Sequence, residues 1–381
     1  MKIVKTFLMI FSTLLILWIP VSQAQILSGK KTSATVGFYS QSWELRSGSK
    51  TVKINQLVFP LSFFVPLKDN YELKIFTSAA LTDLDSTGGK NDLNGFNDTK
   101  IQVAGSFFDD QYLVSLGINL PSGKKSLEPE EMKVARFLSF DYLNLPVKNF
   151  GEGFNLNLNL VRVFEWKNLV WGVGAGYQYY GTYQPYHNFS DYKPGDRFHL
   201  TGVVSFNLGN VKLMGDLSSL QYQSDKQAGR KIFKDGNQFG IRGTLLYDKE
   251  PFSLAVQARF IIRAKDKRYE AALVYPEEIN NELKNHGTDF KLASSFSYRV
   301  ASKIKFIAEG EIKMIAENDF QPSDELYVGA SHITGFGGGL NYDLKDNYYL
   351  TLLAKMFQGE ADGGDLDLSG FQLQSSLFIR F

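Results

Sequence analysis

The side chains that could do chemistry in this 381-residue chain are spread out rather than gathered into a catalytic pattern. Ser331 and His332 are neighbours, and a Ser–His couple can form a nucleophile when the two side chains touch. On an extended strand, neighbours point to opposite faces, so this pair would be kept apart. His187, His199 and His286 stand alone. No Gly-x-Ser-x-Gly elbow, His-Glu-x-x-His or phosphate loop occurs. The absence of cysteine excludes a thiol nucleophile, a disulfide framework, a thiolate-bound metal and a lipoprotein anchor. We therefore expect no enzyme and no cofactor. Asp83-Leu84-Asp85-Ser86-Thr87-Gly88 partly matches a calcium loop, but Asn94 stands where the bidentate Glu belongs. We read this stretch, and the acidic run of Glu360, Asp362, Asp365 and Asp367, as polar loops without a metal.

A different chemistry comes from charges on alternating segments. Lys291, Arg299, Lys303, Lys305, Glu309, Glu311 and Lys313 fall on one predicted hairpin. Arg242, Arg259 and Arg263 fall on another. Buried unpaired charges cost several kcal/mol, so these must meet water or one another. Two arrangements satisfy that condition. One is a pore wall with excess positive charge, which favours anions, carboxylates included. The other is a closed network of ion pairs that fills the interior. The same residues serve both, and we carry Arg242, Arg259, Arg263, Lys291, Lys305, Glu309 and Glu311 as candidates for a lumen wall.

The elements that hold these charges alternate with period two, the mark of a strand with two unlike faces. Phe154-Asn155-Leu156-Asn157-Leu158-Asn159-Leu160 is the purest case. Phe252, Leu254, Val256, Ala258, Phe260 and Ile262 form an apolar set whose opposite face carries Gln257, Arg259 and Arg263. Segments of about 10 to 13 residues suit tilted membrane-spanning strands better than typical soluble ones. Short breaks near 68–70, 109–111, 166–168, 209–210, 248–250, 301–302 and 345–347 alternate with long ones near 83–97, 121–149, 181–195, 223–235, 264–286, 316–328 and 359–367. Tight turns at one end and long loops at the other predict an all-β, antiparallel, up-and-down transmembrane barrel. Counting gives sixteen strands, or fourteen if 33–45 and 51–66 form an internal plug or a periplasmic extension. Closure removes edges that a membrane cannot tolerate.

Composition fits that wall. Phe (31), Tyr (19) and Gly (34) are abundant while mean hydropathy is only −0.18. Tyr and Trp near strand ends, Trp43, Trp166, Trp171, Tyr177, Tyr179, Tyr180, Tyr348 and Tyr349 among them, are candidates for an interfacial girdle. Residues 1–24 read as a secretory signal: Lys2 and Lys5, an apolar core from Phe7 to Ile19, Pro20, then Ser22-Gln23-Ala24. That core is about 13 residues, short of the roughly 20 a membrane helix needs. The barrel would be 25–381. Removing Lys2 and Lys5 from 41 basic residues leaves 39 against 40 acidic ones, a balance without the surplus that nucleic acid would call for.

Phe371, Leu373, Leu377, Ile379 and Phe381 alternate with Gln372, Gln374, Ser376 and Arg380. An aromatic last residue on such a strand resembles the assembly signal read by the outer-membrane insertion machinery. In the loop at 121–149, Glu128-Pro129-Glu130-Glu131 could start a helix that leads into Phe137, Leu138, Phe140, Tyr142, Leu143 and Leu145. This apolar group either captures a hydrophobic substrate at the mouth or folds inward to constrict or cap the pore.

The stretch Asn94-Gly95-Phe96-Asn97-Asp98-Thr99, two strands, and then Pro121-Ser122-Gly123-Lys124, with Gly151-Glu152-Gly153 beyond, resembles outer-membrane proteins of the phenol meta-degradation-pathway group. It is more distantly similar to the long-chain fatty-acid transporter family. That resemblance implies a barrel and a transporter. The expectation is an outer-membrane transporter or channel for small molecules, hydrophobic or anionic, in contact with membrane lipid and the insertion machinery. The alternative is a structural or interaction barrel with a plugged lumen, for adhesion or secretion.

Overall fold

Alternating sequence becomes strand over most of the chain because β-branched and aromatic side chains pack well on a pleated surface. The computed structural model describes residues 31–381 apart from 69, 188, 190, 270–277, 325 and 326. The expected signal peptide lies outside the described residues. In chain order the strands are β1 (Ser33–Ser47), β2 (Lys50–Lys68), β3 (Tyr71–Ser86), β4 (Gly89–Phe96), β5 (Thr99–Phe107), β6 (Tyr112–Leu120), β7 (Asn155–Trp166), β8 (Leu169–Tyr180), β9 (Tyr192–Lys193), β10 (Arg197–Leu208) and β11 (Val211–Tyr222). They continue as β12 (Asp225–Gln227), β13 (Arg230–Lys234), β14 (Gln238–Lys249), β15 (Phe252–Arg263), β16 (Asp266–Tyr269), β17 (Glu278–Leu283), β18 (Asp289–Ala301), β19 (Ile304–Ile315), β20 (Ser331–Lys345), β21 (Tyr348–Ala361) and β22 (Leu366–Arg380).

Seventeen of these form one antiparallel sheet that closes on itself. Closure pairs β1 with β22, from Ser33 opposite Arg380 to Arg46 opposite Asp367. The chain breaks at Asn97-Asp98, so β4 and β5 share a single stave: β4 pairs with the outer half of β3 and β5 with its inner half. The result is a sixteen-stranded barrel. The fourteen-strand alternative fails because β1 and β2 are paired wall strands, not a plug. A strand of 12 residues tilted near 45° rises about 30 Å, enough to cross the apolar core of a bilayer. Among the described residues no helix is long and apolar enough to do so.

The short breaks at 109–111, 166–168, 209–210, 248–250, 301–302 and 345–347 are turns, as expected. Several long ones are more ordered than expected. Residues 83–97 are not a loose loop: β3 and β4 extend as a hairpin, Ser86 facing Gly89. Hydrogen bonding along the backbone continues the ladder where polar side chains had suggested a loop. Asp83 and Asp85 thus sit on a strand. The loops at 181–195, 223–235 and 264–286 contribute β9, β12, β13, β16 and β17 to a second, five-stranded sheet.

The outside of the barrel carries Leu158, Leu160, Val173, Leu213, Leu217, Ile241, Phe260, Ile262, Phe306, Met314, Phe336 and Phe371, all exposed. Such a continuous apolar belt is at home only against lipid. The inside is divided. On β7 the asparagines face inward and the leucines outward, as the alternation requires. On β1–β4 and β20–β22 the upper inner face is apolar: Trp43, Leu45, Ile54, Leu84, Leu93, Ile333, Phe357 and Leu368 form one buried cluster. Trp43 is therefore not an interfacial girdle residue. It is buried in the barrel, its ring 5.2 Å from that of Phe357. Phe378 also breaks the C-terminal alternation by facing inward, buried beside Tyr349.

Candidate functional site

The apolar inner cluster exists to receive the segment between β6 and β7. A helix, α1 (Pro129–Leu138), forms there for local reasons. Pro129 opens it with its φ preset, and Glu131 reaches back to accept from the Glu128 amide at 2.9 Å. One face buries Val134 and Leu138 against the wall. A short 3-10 turn over Asp141–Leu143 follows, ending at Asn144 in the left-handed region at φ 48°. Leu143, Leu145, Val147 and Phe150 then complete the cluster.

The base of this inserted segment is tied by Asp98, in the break between β4 and β5. Its carboxylate accepts from the Gly123 amide at 2.9 Å, the Glu152 amide at 2.7 Å and the Asn119 side chain at 3.1 Å. The ingoing and outgoing strands of the segment are thereby held together. Only glycine fits at two of the contacts. A Cβ on Gly123 would stand 2.0 Å from the Phe150 oxygen, and one on Gly151 would stand 2.2 Å from the Lys124 oxygen. Ser122 adds a hydroxyl contact to Thr99 at 2.9 Å. Five of the residues that carried the family resemblance, Asp98, Thr99, Ser122, Gly123 and Glu152, are thus joined by hydrogen bonds at the base of the segment.

Two glutamines of the wall hold the segment from the side. Gln41 donates to the Leu143 oxygen at 2.9 Å. Gln56 donates to the Val147 oxygen at 2.8 Å and accepts from the Val147 amide at 2.9 Å. Across the lumen the segment meets the opposite wall through Asp141. Arg263 of the wall lies 3.4 Å from that carboxylate and Lys313 of the wall donates to its backbone oxygen, while Lys148, from the segment itself, lies 2.5 Å from the carboxylate. Burial opposes the charge on Asp141, yet Lys148, Lys313 and Arg263 overcome it and hold the carboxyl down at about 2. Leu138 and Tyr142 are buried; Phe137 packs edge-on against Phe140, which stacks on Tyr142 at 5.1 Å. The segment folds inward, and its aromatics are packed against one another and the wall.

The wall facing this segment carries a row of cations. Arg242 stands opposite Arg259, Arg259 opposite Lys291, and Lys291 opposite Lys313. Like charges directly across a sheet repel. Carboxylates flank the row: Asp216 at 2.6 Å from Arg242, Asp289 at 3.4 Å from Arg259, and Glu311 at 3.1 Å from Lys291. Arg259 is the most open, with 35 % of its side chain exposed and its Nε without a hydrogen-bond partner. Lys355 joins Glu309 and Glu311, each at 3.0 Å. Lys305 faces the same interior lower on β19, opposite Arg299. Ser331 turns inward and is buried, while His332 turns outward and is exposed.

The sequence candidates Arg242, Arg259, Lys291, Glu309 and Glu311 are thus brought to one face, with Arg263 beside the inserted segment. Lys305 lies apart from them. Sequence reasoning missed Asp141, Gln41, Gln56 and Lys355, and it named Asp98 only within the motif of the family resemblance, with no role. A weak signal existed for the glutamines, which interrupt the apolar alternation of Tyr39, Trp43 and Leu45, and of Ile54 and Val58.

No family model matches the chain, and no curated protein sequence does. Solved structures do. OprB of Pseudomonas putida aligns over 91 % of this chain and 94 % of its own, at 9 % identity and a TM-score of 0.52. The two share a fold. The monoaromatic hydrocarbon channel CymD aligns over 94 % and 91 % at 11 % identity and a TM-score of 0.46. OccK2 of Pseudomonas aeruginosa, solved in complex with glucuronate, aligns over 93 % and 99 % at 8 % identity and a TM-score of 0.46.

Proposed function

We propose that the chain is an outer-membrane channel through which small anionic solutes pass, narrowed by the segment between β6 and β7. The observation that carries this is the directly opposed row Arg242, Arg259 and Lys291, set on the wall that faces the segment and continued by Lys313 where the segment covers it. A row of like charges costs stability. A barrel whose interior were only filler could use apolar residues there, as its own β1–β4 side does. Water and a passing carboxylate are the environment in which such a row is useful. The apolar belt supports a lipid setting, and the secretory signal and C-terminal aromatic support export and insertion into the outer membrane. The resemblance to the phenol meta-degradation-pathway group agrees with transport. The aromatics of the segment are turned into packing, which favours an anionic over a hydrophobic cargo.

A plugged structural barrel is the second reading, favoured by the ion pair that ties Asp141 to Arg263 across the interior. Planar-bilayer recording separates the two. The channel reading expects single-channel conductance with a reversal potential shifted toward anions in a salt gradient, and a smaller shift in Arg259→Gln. A folded barrel that stays silent would leave the plugged reading standing.

A further inference from the structure

Lys193, Lys226 and Lys231 form one cross-strand row on the five-stranded sheet, with Lys226 directly opposite both of the others. Three like charges in register repel, so the row is suited to an anion. It faces away from the barrel axis, and two contacts establish that. Tyr192, beside Lys193, turns inward: its hydroxyl donates to Asp225 at 2.6 Å and its ring packs edge-on to Tyr183 at 5.6 Å. Lys193 turns the other way, its ammonium 4.6 Å from the ring centre of Tyr179 on the lipid side of β8.

Tyr177, Tyr179 and Phe198 are exposed just beneath the row. Exposed aromatic rings at a barrel rim mark the membrane interface. The lysines therefore stand at the height of lipid headgroups. Among the described residues one carboxylate touches the row: Asp196, 3.4 Å from Lys193. Its charge is already shared with the Tyr177 hydroxyl at 2.8 Å and the Tyr180 amide at 3.0 Å. Lys226 and Lys231 are exposed, and the ammonium of Lys231 lies 5.8 Å from the ring centre of Tyr269. Lys234 opposite Lys267 extends the basic strip by a further pair.

We propose that this row binds the phosphate groups of anionic glycolipid in the outer leaflet, fixing lipid against β8 and β10. The proposal rests on the outer-membrane location given under Proposed function. Phosphate oxygens suit lysines as strong point-charge acceptors. A row spread over three strands can engage a headgroup bearing more than one phosphate.

The test uses the folded barrel in detergent with bisphosphorylated lipid A, bound lipid being read by native mass spectrometry. The triple substitution Lys193→Gln, Lys226→Gln and Lys231→Gln should weaken lipid A binding by about tenfold or more, the scale expected when three lysines leave an anionic lipid surface. Should the triple variant fail to fold, the exposed Lys226→Gln alone should still weaken binding measurably. Lys50→Gln with Lys90→Gln, at strand ends across the barrel, should leave binding unchanged. Unchanged affinity in the lysine variants would overturn the proposal, as would an equal loss in the control. Complete displacement by excess inorganic phosphate would reassign the row to free phosphate and overturn it too. Cell fractionation reads the location separately: a barrel that sediments away from the outer membrane but binds lipid A normally would sink the location, and the biological role of the row with it.

Discussion

Gln56 and Val147 are joined by two hydrogen bonds of opposite sense, 2.8 Å from the side-chain amide to the backbone oxygen and 2.9 Å from the backbone amide to the side-chain oxygen. One wall residue thereby does for the inserted segment what a neighbouring strand does within a sheet. It does so in a dry place, since Gln56 is fully buried and its surroundings are apolar. The position of the segment in the lumen depends on this bridge as well as on the Asp98 knot at its base.

Gln56→Ala should release the segment from its side. It would orphan two backbone groups of Val147 in the apolar cluster, at about 1–3 kcal/mol for each unsatisfied group. The variant should conduct more than the parent and be cut more readily by protease between 121 and 154. Wild-type conductance together with a wild-type cleavage pattern would show that the bridge does not set the position of the segment.

The tie through Asp141 should be sensitive to acid. Its carboxyl is depressed from 3.8 to about 2 in the folded protein. A depressed carboxyl contributes stability that is present above the unfolded value and lost as pH falls from there through the folded value. Docking of the segment should thus be constant from neutral pH to about 4 and weaken toward 2, by a term on the order of 2 kcal/mol. Asp141→Asn should remove that acid dependence, leaving docking weaker than the parent's above about pH 4 and converging on it toward pH 2. Bilayer recordings from pH 6 to pH 2.5 would check this; a parent and variant with identical profiles would remove Asp141 from the account.

Facing on β15 gives a sharper test, because a slip of one residue would exchange the two sides. Phe260 and Ile262 are exposed on the outer belt, and Gln257 turns inward to Thr244 at 3.4 Å. Val256→Arg places a charge against lipid and should cost about 2–4 kcal/mol near mid-membrane, while Gln257→Arg should be tolerated. The native chain has no cysteine, so single cysteines at 256 and 257 report without background. A water-soluble thiol reagent should modify 257 and spare 256. The reverse pattern would overturn the wall assignment of Arg259 and Arg263.

Phe381 tests assembly. It is exposed at the end of the closing strand, its amide donating to the Thr32 oxygen at 2.8 Å. Phe381→Asp should reduce the amount of inserted barrel while export across the inner membrane continues. Normal insertion of the variant would mean that the signal lies elsewhere.

The sequence by itself determined the wall. Period two is a local property, written in side chains such as Leu156, Asn157 and Leu158, and each strand announces its two faces without reference to any other. Turn positions followed, and with them a count of sixteen or fourteen, between which only the pairing of β1 and β2 into the wall decided. The tertiary structure alone decided what fills the interior. Trp43 looked like an interfacial aromatic because its chain neighbours do not reveal that its ring will turn into the barrel against Phe357; its burial depends on β21, far along the chain. Gln56 looked like an ordinary polar position and Asp98 had no role beyond the motif it stands in; their partners at Val147, Gly123 and Glu152 are brought near only by the pairing of strands and the folding of the segment into the lumen. The cation row was visible as scattered charges on two hairpins. That Arg242, Arg259, Lys291 and Lys313 stand in one line is a matter of strand register, which is fixed by pairing between strands and cannot be read from any one of them.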